Sequence, residues 1–248
     1  MTIASASQGG INTITINHPP VNALAAKQWM ELAAALGTAG RDAGVRAVII
    51  RAEGRGFCAG VDIKELAAGG PDAMIAINRA CATAFAAVYD CPVPVIVAVH
   101  GFCLGGGVGL AGNADVIIAS ADATFGLPEI DRGALGAATH LSRLVPHHRM
   151  RAMYYLAETA TAQELHAYGS VYEVVELDKL DSAAREVAQR VAAKDGAILR
   201  LAKEAINGID PIDVKRSYRY EQGFTFEHTL SPSANDAREA FLNSKRDG

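Results

Sequence analysis

Two glycine-rich turns are the strongest chemical feature of this sequence. One covers residues 56–62 (GFCAGVD) and the other covers residues 101–107 (GFCLGGG). Glycine lets the backbone approach a ligand closely and turn its N–H groups outward. The second turn also opens a predicted helix, whose first N–H groups can stabilise a developing negative charge. Either turn alone is better explained as a tight bend, but N–H donors converging from both would form an oxyanion hole.

A carboxylate with charged and imidazole neighbours follows a later predicted strand. Glu129 stands shortly after residues 123–126 and could act as a general acid or base. Asp131 would share a side with Glu129 if the segment is extended, but a loop or helix-cap role is the simpler interpretation. Arg132 could equally pair with Asp131 or hold a substrate carboxylate. His140 is expected on a helix facing the pocket, with hydrogen-bonded packing and catalysis both open.

The elements that must position these residues alternate along the chain. Apolar runs predict strands over residues 11–16, 47–50, 93–99, 116–119 and 123–126. Apolar residues at helical spacing predict a helix from residue 25 that ends at Gly37 and Gly40, and another over about 72–89. A capping box at residues 161–164 opens a further helix. Later helices are predicted over residues 183–193, 197–206, 214–229 and 234–243. The order predicts an α/β fold with a helical final third.

Composition excludes several other classes. The 248 residues carry a formal net charge of −4, which disfavours a nucleic-acid partner. The four cysteines form no CxxC pair, and no histidine cluster has metal-ligand spacing, so we expect no metal. The second turn lacks the GxGxxG spacing of dinucleotide-binding folds. The first residues do not have the pattern of a signal peptide, and no apolar run is long enough for a membrane span. We therefore expect a reduced cytoplasmic protein.

These motifs, in this order, resemble the crotonase (enoyl-CoA hydratase/isomerase) superfamily. Residues 57–65, 101–107 and 125–129 carry the resemblance, which extends over nearly the whole chain. It implies a ClpP-like spiral of ββα units over residues 1–190 and a helical trimerisation region over 191–248. It also implies an acyl-CoA substrate, no cofactor beyond its coenzyme A, and a homotrimer or a hexamer.

The resemblance assigns individual site residues by position. The oxyanion-hole donors fall on the N–H groups of Val61 and Gly106. The remaining positions would bind coenzyme A: Ala59, Gly60 and Ile63 beside the adenine and pantetheine, Lys64 at a phosphate, and Phe241 with Lys245 closing the site of a neighbouring subunit.

The chain departs from the hydratase pattern at its carboxylates. The second hydratase glutamate falls on Glu129, but the first falls on Gly109, and an alternative aspartate of some relatives falls on Ala137. Residues 51–57, 133–146 and 221–227 are more similar to a branch of ring-opening hydrolases from actinobacterial steroid catabolism. That likeness implies hydrolysis of a carbon–carbon bond in a bicyclic keto-acyl-CoA. A one-glutamate hydratase or isomerase, and a non-catalytic acyl-CoA-binding protein, are the alternatives.

Overall fold

The computed structural model describes residues 2–230 together with Asp236, Ala240 and Asn243. The strands in this part of the chain are β1 (Ile3–Gln8), β2 (Ile11–Ile16), β3 (Ala23–Leu24), β4 (Ala47–Ala52), β5 (Gly60–Val61), β6 (Val95–Val99), β7 (Phe102–Leu104), β8 (Val116–Ser120), β9 (Thr124–Gly126), β10 (Thr159–Thr161) and β11 (Glu173–Val175). The α-helices are α1 (Ala26–Arg41), α2 (Ile63–Tyr89), α3 (Gly106–Ala111), α4 (Ala138–Leu141), α5 (His147–Leu156), α6 (Ala162–Ala167), α7 (Leu180–Ala192), α8 (Gly196–Gly208) and α9 (Val214–Thr229). Short 3₁₀ helices cover Pro128–Arg132 and Leu177–Lys179.

A six-stranded sheet with the order β1-β2-β4-β6-β8-β11 forms the centre of the molecule. β1 and β2 are antiparallel, and the other neighbours are parallel. Every residue of β6 is buried, because both faces of the sheet are covered, and this accounts for its uninterrupted apolar sequence. Ile96 and Ala98 face the layer formed by α7, whereas Val95 and Val97 face the larger core, which includes Trp29 of α1 and Phe85 of α2.

Each of three successive strands of the large sheet is followed by a short strand outside it and then by a helix. The units are β2-β3-α1, β4-β5-α2 and β6-β7-α3. The short strands form two small sheets outside the large one, with β3 paired to β5 and β7 paired to β9. This arrangement confirms the predicted α/β fold built as a spiral of strand–strand–helix units.

Several element boundaries differ from the sequence prediction. β1 was not predicted, because it lies at the sheet edge and buries only Ile3, so its sequence lacks the run of large apolar residues that marks a buried strand. α1 continues to Arg41, so Gly37 and Gly40 do not end it. Pro92 lies so close to Gly40 that a Cβ there would be 2.6 Å from Pro92 Cδ, which indicates that this glycine serves close packing. α2 begins at Ile63 and is broken at Gly70, where φ is +58°.

Helix α9 has the predicted bounds and packs against α2 and α4 of its own chain. The division of the chain near residue 190 stays a prediction, although α9 lies beside the functional site described below. Phe241 and Lys245 lie outside the described residues. In the part of the chain that the structure describes, no helix combines the length and hydropathy needed to span a lipid bilayer.

Candidate active site

The two glycine-rich turns lie side by side. The backbones of Cys58 and Cys103 form an isolated parallel β-bridge. The Cys58 N–H donates to Phe102 O, and the Leu104 N–H donates to Cys58 O. A Cβ on Gly60 would lie 3.0 Å from the Gly106 nitrogen, and Gly60 has φ +92°, so this contact requires glycine. The strand pairing therefore brings the segments that carry Val61 and Gly106 into contact.

The N–H group of Gly106 is oriented by the start of a helix. Gly106 is the first residue of α3, so its N–H has no acceptor within that helix. Trp29 supports the turn from below, because a Cβ on Gly106 would lie 2.7 Å from its Cζ2 atom. The Trp29 indole N–H donates to Leu24 O at 3.0 Å, which fixes the ring. The turn is thus held by packing before any ligand binds.

The Glu129 carboxyl group is enclosed between two glycines. A Cβ on Gly105 would clash with its Oε1, and a Cβ on Gly136 would lie 2.8 Å from its Oε2. The Gly136 N–H donates to the Tyr154 hydroxyl at 3.2 Å, which fixes that side of the enclosure. Although part of the residue remains accessible, Oε2 is buried and has no hydrogen-bond partner among the described residues.

Burial raises the pKa of Glu129 from 4.5 to about 7, with smaller opposing effects from its backbone and from Arg132. Desolvation disfavours the ionised carboxylate, so the group stays partly protonated near neutral pH. A pKa near the working pH suits a group that must both accept and return a proton. Glu129 therefore has the environment of a general acid–base residue.

A largely apolar cavity connects these groups. Val61, Gly106, Glu129 and Arg132 all line it, so four of the six predicted catalytic residues lie around one space. The other lining residues are Ala59, Ile63, Leu66, Met74, Ile77, Asn78, Cys81, Phe85, Gly105, Ala134, Leu135, Gly136, Ala137, Tyr218 and Thr225. Such a cavity suits a compact apolar acyl group with a few polar atoms.

The structure separates Asp131 from this cavity. The expectation that Asp131 shares a side with Glu129 required an extended segment, but Pro128–Arg132 is a 3₁₀ helix, with three residues per turn. Asp131 is exposed and does not line the cavity. Arg132 does line it and is close enough to lower the pKa of Glu129. The placement favours the simpler interpretation of Asp131 as a surface carboxylate.

His140 lies behind the cavity wall. Its Nδ1 accepts a hydrogen bond from Asn113 Nδ2 at 2.9 Å, and burial lowers its pKa to about 3. Its ring centroid is 5.0 Å from that of Phe85 and 4.8 Å from that of Tyr218, and these two rings line the cavity whereas His140 does not. The placement favours the packing role over the catalytic one.

Phe85 occupies the space that a side chain at Gly109 would need. A Cβ on Gly109 would lie 2.6 Å from Phe85 Cε1, so no carboxylate fits at this position without displacing the ring. Ala137, where some relatives carry an aspartate, is buried and lines the cavity. Among the described residues that line the cavity, Glu129 is therefore the one with a carboxylate side chain.

The described residues among those predicted to bind coenzyme A lie at the cavity or next to its lining in sequence. Ala59 and Ile63 line the cavity beside Val61, and Gly60 is buried beneath them. Lys64 is exposed at the start of α2, where its N–H donates to Asp62 Oδ1 at 2.9 Å. Among the described residues no cluster of three histidine, cysteine or acidic side chains could hold a metal ion.

Asn78 was missed by the sequence analysis. Its side chain is 7% exposed and lines the cavity from α2. A sequence signal was present, because Asn78 interrupts an apolar stripe at helical spacing whose other members include Met74, Ile77, Cys81 and Phe85. A single amide side chain within a buried apolar stripe indicates a polar group that contacts a ligand.

Comparison with known proteins defines the class. The sequence pattern of the family described as "Enoyl-CoA hydratase/isomerase" matches residues 6–246, so the chain belongs to that family. It is 61% identical over 246 residues, 98% of this chain and 95% of the relative, to the (7aS)-7a-methyl-1,5-dioxo-2,3,5,6,7,7a-hexahydro-1H-indene-carboxyl-CoA hydrolase of Rhodococcus jostii (strain RHA1). It is 58% identical over 234 residues, 94% of this chain and 95% of the relative, to the hydrolase of the same name from Mycobacterium tuberculosis (strain ATCC 25618 / H37Rv).

A solved structure supports the fold assignment. The crystal structure of an enoyl-CoA hydratase/isomerase from Xanthobacter autotrophicus Py2 superposes with a TM-score of 0.90 at 30% identity, covering all of this chain and 93% of that one. Identity to the two hydrolases is about twice as high. The predicted likeness to ring-opening hydrolases within the crotonase superfamily is therefore confirmed.

Proposed function

We propose that this protein hydrolyses a ring carbon–carbon bond in a bicyclic diketo acyl-CoA and leaves the thioester intact. The observation that carries the proposal is the 61% identity, over 98% of the chain, to a hydrolase named for such a substrate. The site is consistent with it, because Phe85 fills the position of the first hydratase glutamate and leaves Glu129 as the cavity carboxylate.

The substrate named for the relatives can delocalise the electron pair that is left when the ring bond breaks. Its remaining ring double bond joins C3a and C4, because every other ring position is saturated or carries an oxo group. Water adds to the C1 ketone, and the bond from C1 to C7a then breaks. With the thioester on C4, the electron pair left on C7a spreads through C3a and C4 to the thioester oxygen. One water is consumed. In the single ring-opened product C1 has become a carboxylic acid and C7a has gained a hydrogen.

The Val61 and Gly106 N–H groups would stabilise the resulting enolate oxygen. They come from turns in direct contact, and Gly106 begins a helix. Donors placed about 2.7–3.1 Å from the developing oxyanion are each worth on the order of 10²–10³ in rate. A bound acyl-CoA whose thioester oxygen lay away from both nitrogens would contradict this assignment.

Glu129 would take a proton from the attacking water and return it to the ring carbon. Its Oε2 is buried without a hydrogen-bond partner among the described residues, and its pKa of about 7 allows both steps near neutral pH. Arg132, which lines the same cavity, would polarise the attacked ketone. His140 is a poor candidate for that role because Phe85 and Tyr218 stand in front of it.

Coenzyme A would bind along Ala59, Gly60 and Ile63, with Lys64 at a phosphate. The accessible ammonium group of Lys64 beside the start of α2 suits that role. No cofactor beyond the substrate's coenzyme A is required by this chemistry. The free cysteines and the acyl-CoA substrate support a cytoplasmic location.

We place the protein in a homotrimer or a dimer of trimers. Phe224 and Leu230, at the outer side and end of α9, are 47% and 73% exposed, as expected for residues that a neighbouring subunit covers. Phe241 and Lys245 would reach a neighbour's coenzyme A site in that assembly. Light scattering at micromolar concentration tests the proposal, and a monomer would contradict it.

Product analysis separates this function from its alternatives. The protein is incubated with the bicyclic diketo thioester and, in parallel, with crotonyl-CoA, and both mixtures are analysed by mass spectrometry. Ring opening adds one water to the bicyclic thioester and leaves crotonyl-CoA unchanged, which is the expected result. Hydration of crotonyl-CoA alone would indicate a one-glutamate hydratase, and binding without turnover of either would indicate an acyl-CoA-binding protein.

A further inference from the structure

The Asn78 side chain carries a hydrogen-bond donor inside the cavity that the proposed mechanism does not use. Its Nδ2 atom is buried and has no partner among the described residues. A buried amide donor without an acceptor is destabilising, and most such groups in folded proteins find one. An apolar residue would continue the stripe formed by Met74, Ile77 and Cys81 without that cost. The amide is therefore expected to meet its acceptor in the ligand.

The position of Asn78 is fixed from the opposite side of the cavity wall. Gln222 of α9, which is 2% exposed, donates from its Nε2 to the backbone carbonyl oxygen of Asn78 at 2.8 Å. Arg219 in turn donates to Gln222 Oε1 at 2.6 Å, which orients the glutamine. The segment of α2 that carries the amide is thus held in place before a substrate enters, as a recognition group requires.

Neighbouring polar groups in the cavity either have partners within the protein or have a role in the proposed mechanism. Tyr218 shares a side-chain hydrogen bond with Gln222, and the Thr225 hydroxyl donates to Glu221 O at 3.4 Å. Arg132 lies near Glu129 and lowers the pKa of that carboxyl group. Arg132 is therefore suited to the ketone that Glu129-activated water attacks. Asn78 differs from these groups in having a donor with no acceptor inside the described protein.

The named substrate has three carbonyl oxygens, and two of them already have assigned donors. The thioester oxygen takes the Val61 and Gly106 N–H groups, and the C1 ketone takes Arg132. We propose that Asn78 Nδ2 donates a hydrogen bond to the C5 ketone, the ring ketone that is not attacked, and so selects diketo substrates. This inference rests on the proposed function. The C5 ketone is conjugated with C4, so the same hydrogen bond strengthens as charge spreads through the enolate.

The test compares two thioesters and three proteins. One thioester is the diketo substrate, and the other has a methylene group in place of the C5 ketone but keeps C1, the ring double bond and the thioester. The proteins are the wild type, Asn78→Leu, and Thr225→Val as a matched control that removes another polar lining group. The readout is the ratio of kcat/KM for the two thioesters, which does not depend on how much of a variant is folded.

The C5 ketone also stabilises the enolate electronically, so the wild-type preference for the diketo thioester combines this intrinsic reactivity with the hydrogen bond, which contributes on the order of 10-fold to 100-fold. Asn78→Leu should lower this preference by about that hydrogen-bond factor by losing activity on the diketo thioester alone, whereas Thr225→Val should keep the wild-type preference. Asn78→Ala provides a second variant with less crowding. An unchanged ratio in both Asn78 variants would overturn the inference while leaving the ring-opening function intact. A wild type that opened neither thioester would refute the proposed function itself, and the inference with it.

Discussion

Replacing Glu129 by glutamine should change stability and activity in opposite directions. Burial raises the pKa of Glu129 from 4.5 to about 7, so the folded state binds the proton more tightly than the unfolded chain does. The stabilisation from the protonated form is fully present below the unfolded pKa and is lost as the pH rises through the folded one. Since one pKa unit is about 1.4 kcal/mol, ionisation destabilises the fold by about 1 kcal/mol at pH 5 and about 3 kcal/mol at pH 8.

Glu129→Gln removes the ionisation and keeps nearly the same shape. The variant should therefore be more stable than the wild type at pH 8 by about 3 kcal/mol, and by only about 1 kcal/mol at pH 5. Ring-opening activity should fall by on the order of 10²–10⁴, because a glutamine cannot take a proton. Affinity for the acyl-CoA should change little, because the proposed contacts of coenzyme A with Lys64 and of the thioester with backbone N–H groups do not involve the Glu129 carboxyl group.

Denaturant unfolding at both pH values, combined with steady-state kinetics at pH 8, measures both effects. The reasoning would be refuted by a variant that keeps more than about a tenth of wild-type activity. It would also be refuted if the stability difference between variant and wild type were the same at both pH values, because the carboxyl would then not be ionising in a desolvated site.

Three further outcomes are expected. kcat/KM for ring opening should rise about tenfold from pH 6 to pH 8, with a midpoint near 7, because the base must be deprotonated; a flat profile would argue against Glu129. Gly109→Glu should destabilise the protein by at least about 1–3 kcal/mol and give no hydration of crotonyl-CoA, because the new side chain meets the Phe85 ring. Thermal unfolding and a hydration assay check this, and a stable, active hydratase would contradict it. His140→Gln should keep ring-opening kcat/KM within about threefold while lowering the unfolding midpoint, because His140 forms its hydrogen bond with Asn113 outside the cavity. A hundredfold loss of activity in folded protein would indicate that His140 takes part in the mechanism.

Local sequence patterns were sufficient to predict the two turns to which the proposed oxyanion hole is assigned. The glycines of residues 56–62 and 101–107 reflect a contact in which a side chain at Gly60 would crowd the Gly106 nitrogen. Such a requirement is visible in the sequence, because it restricts the residue to glycine at each position separately. The buried strand β6 and the helix α9 were likewise evident from continuous apolar sequence and from helical periodicity.

The features that could not be predicted depend on contacts between distant parts of the chain. His140 lies outside the cavity because Phe85 of α2 and Tyr218 of α9 stand in front of it, and no local pattern relates these three residues. The absence of a carboxylate at Gly109 was evident from the sequence, but its replacement by the Phe85 ring was not. For Asp131 a loop or helix-cap role was the favoured prediction, and a shared side with Glu129 was expected only for extended backbone, whereas the chain forms a 3₁₀ helix there.

Turnover of the bicyclic diketo acyl-CoA in water enriched in oxygen-18 tests the central claim most directly. The account predicts a single product that retains coenzyme A, has gained one water, and carries one heavy oxygen in a new carboxylate formed from the ring ketone. Tandem mass spectrometry locates that oxygen. Release of free coenzyme A, or a heavy oxygen in a hydroxyl group on an unbroken ring, would contradict carbon–carbon hydrolysis and indicate a thioesterase or a hydratase instead.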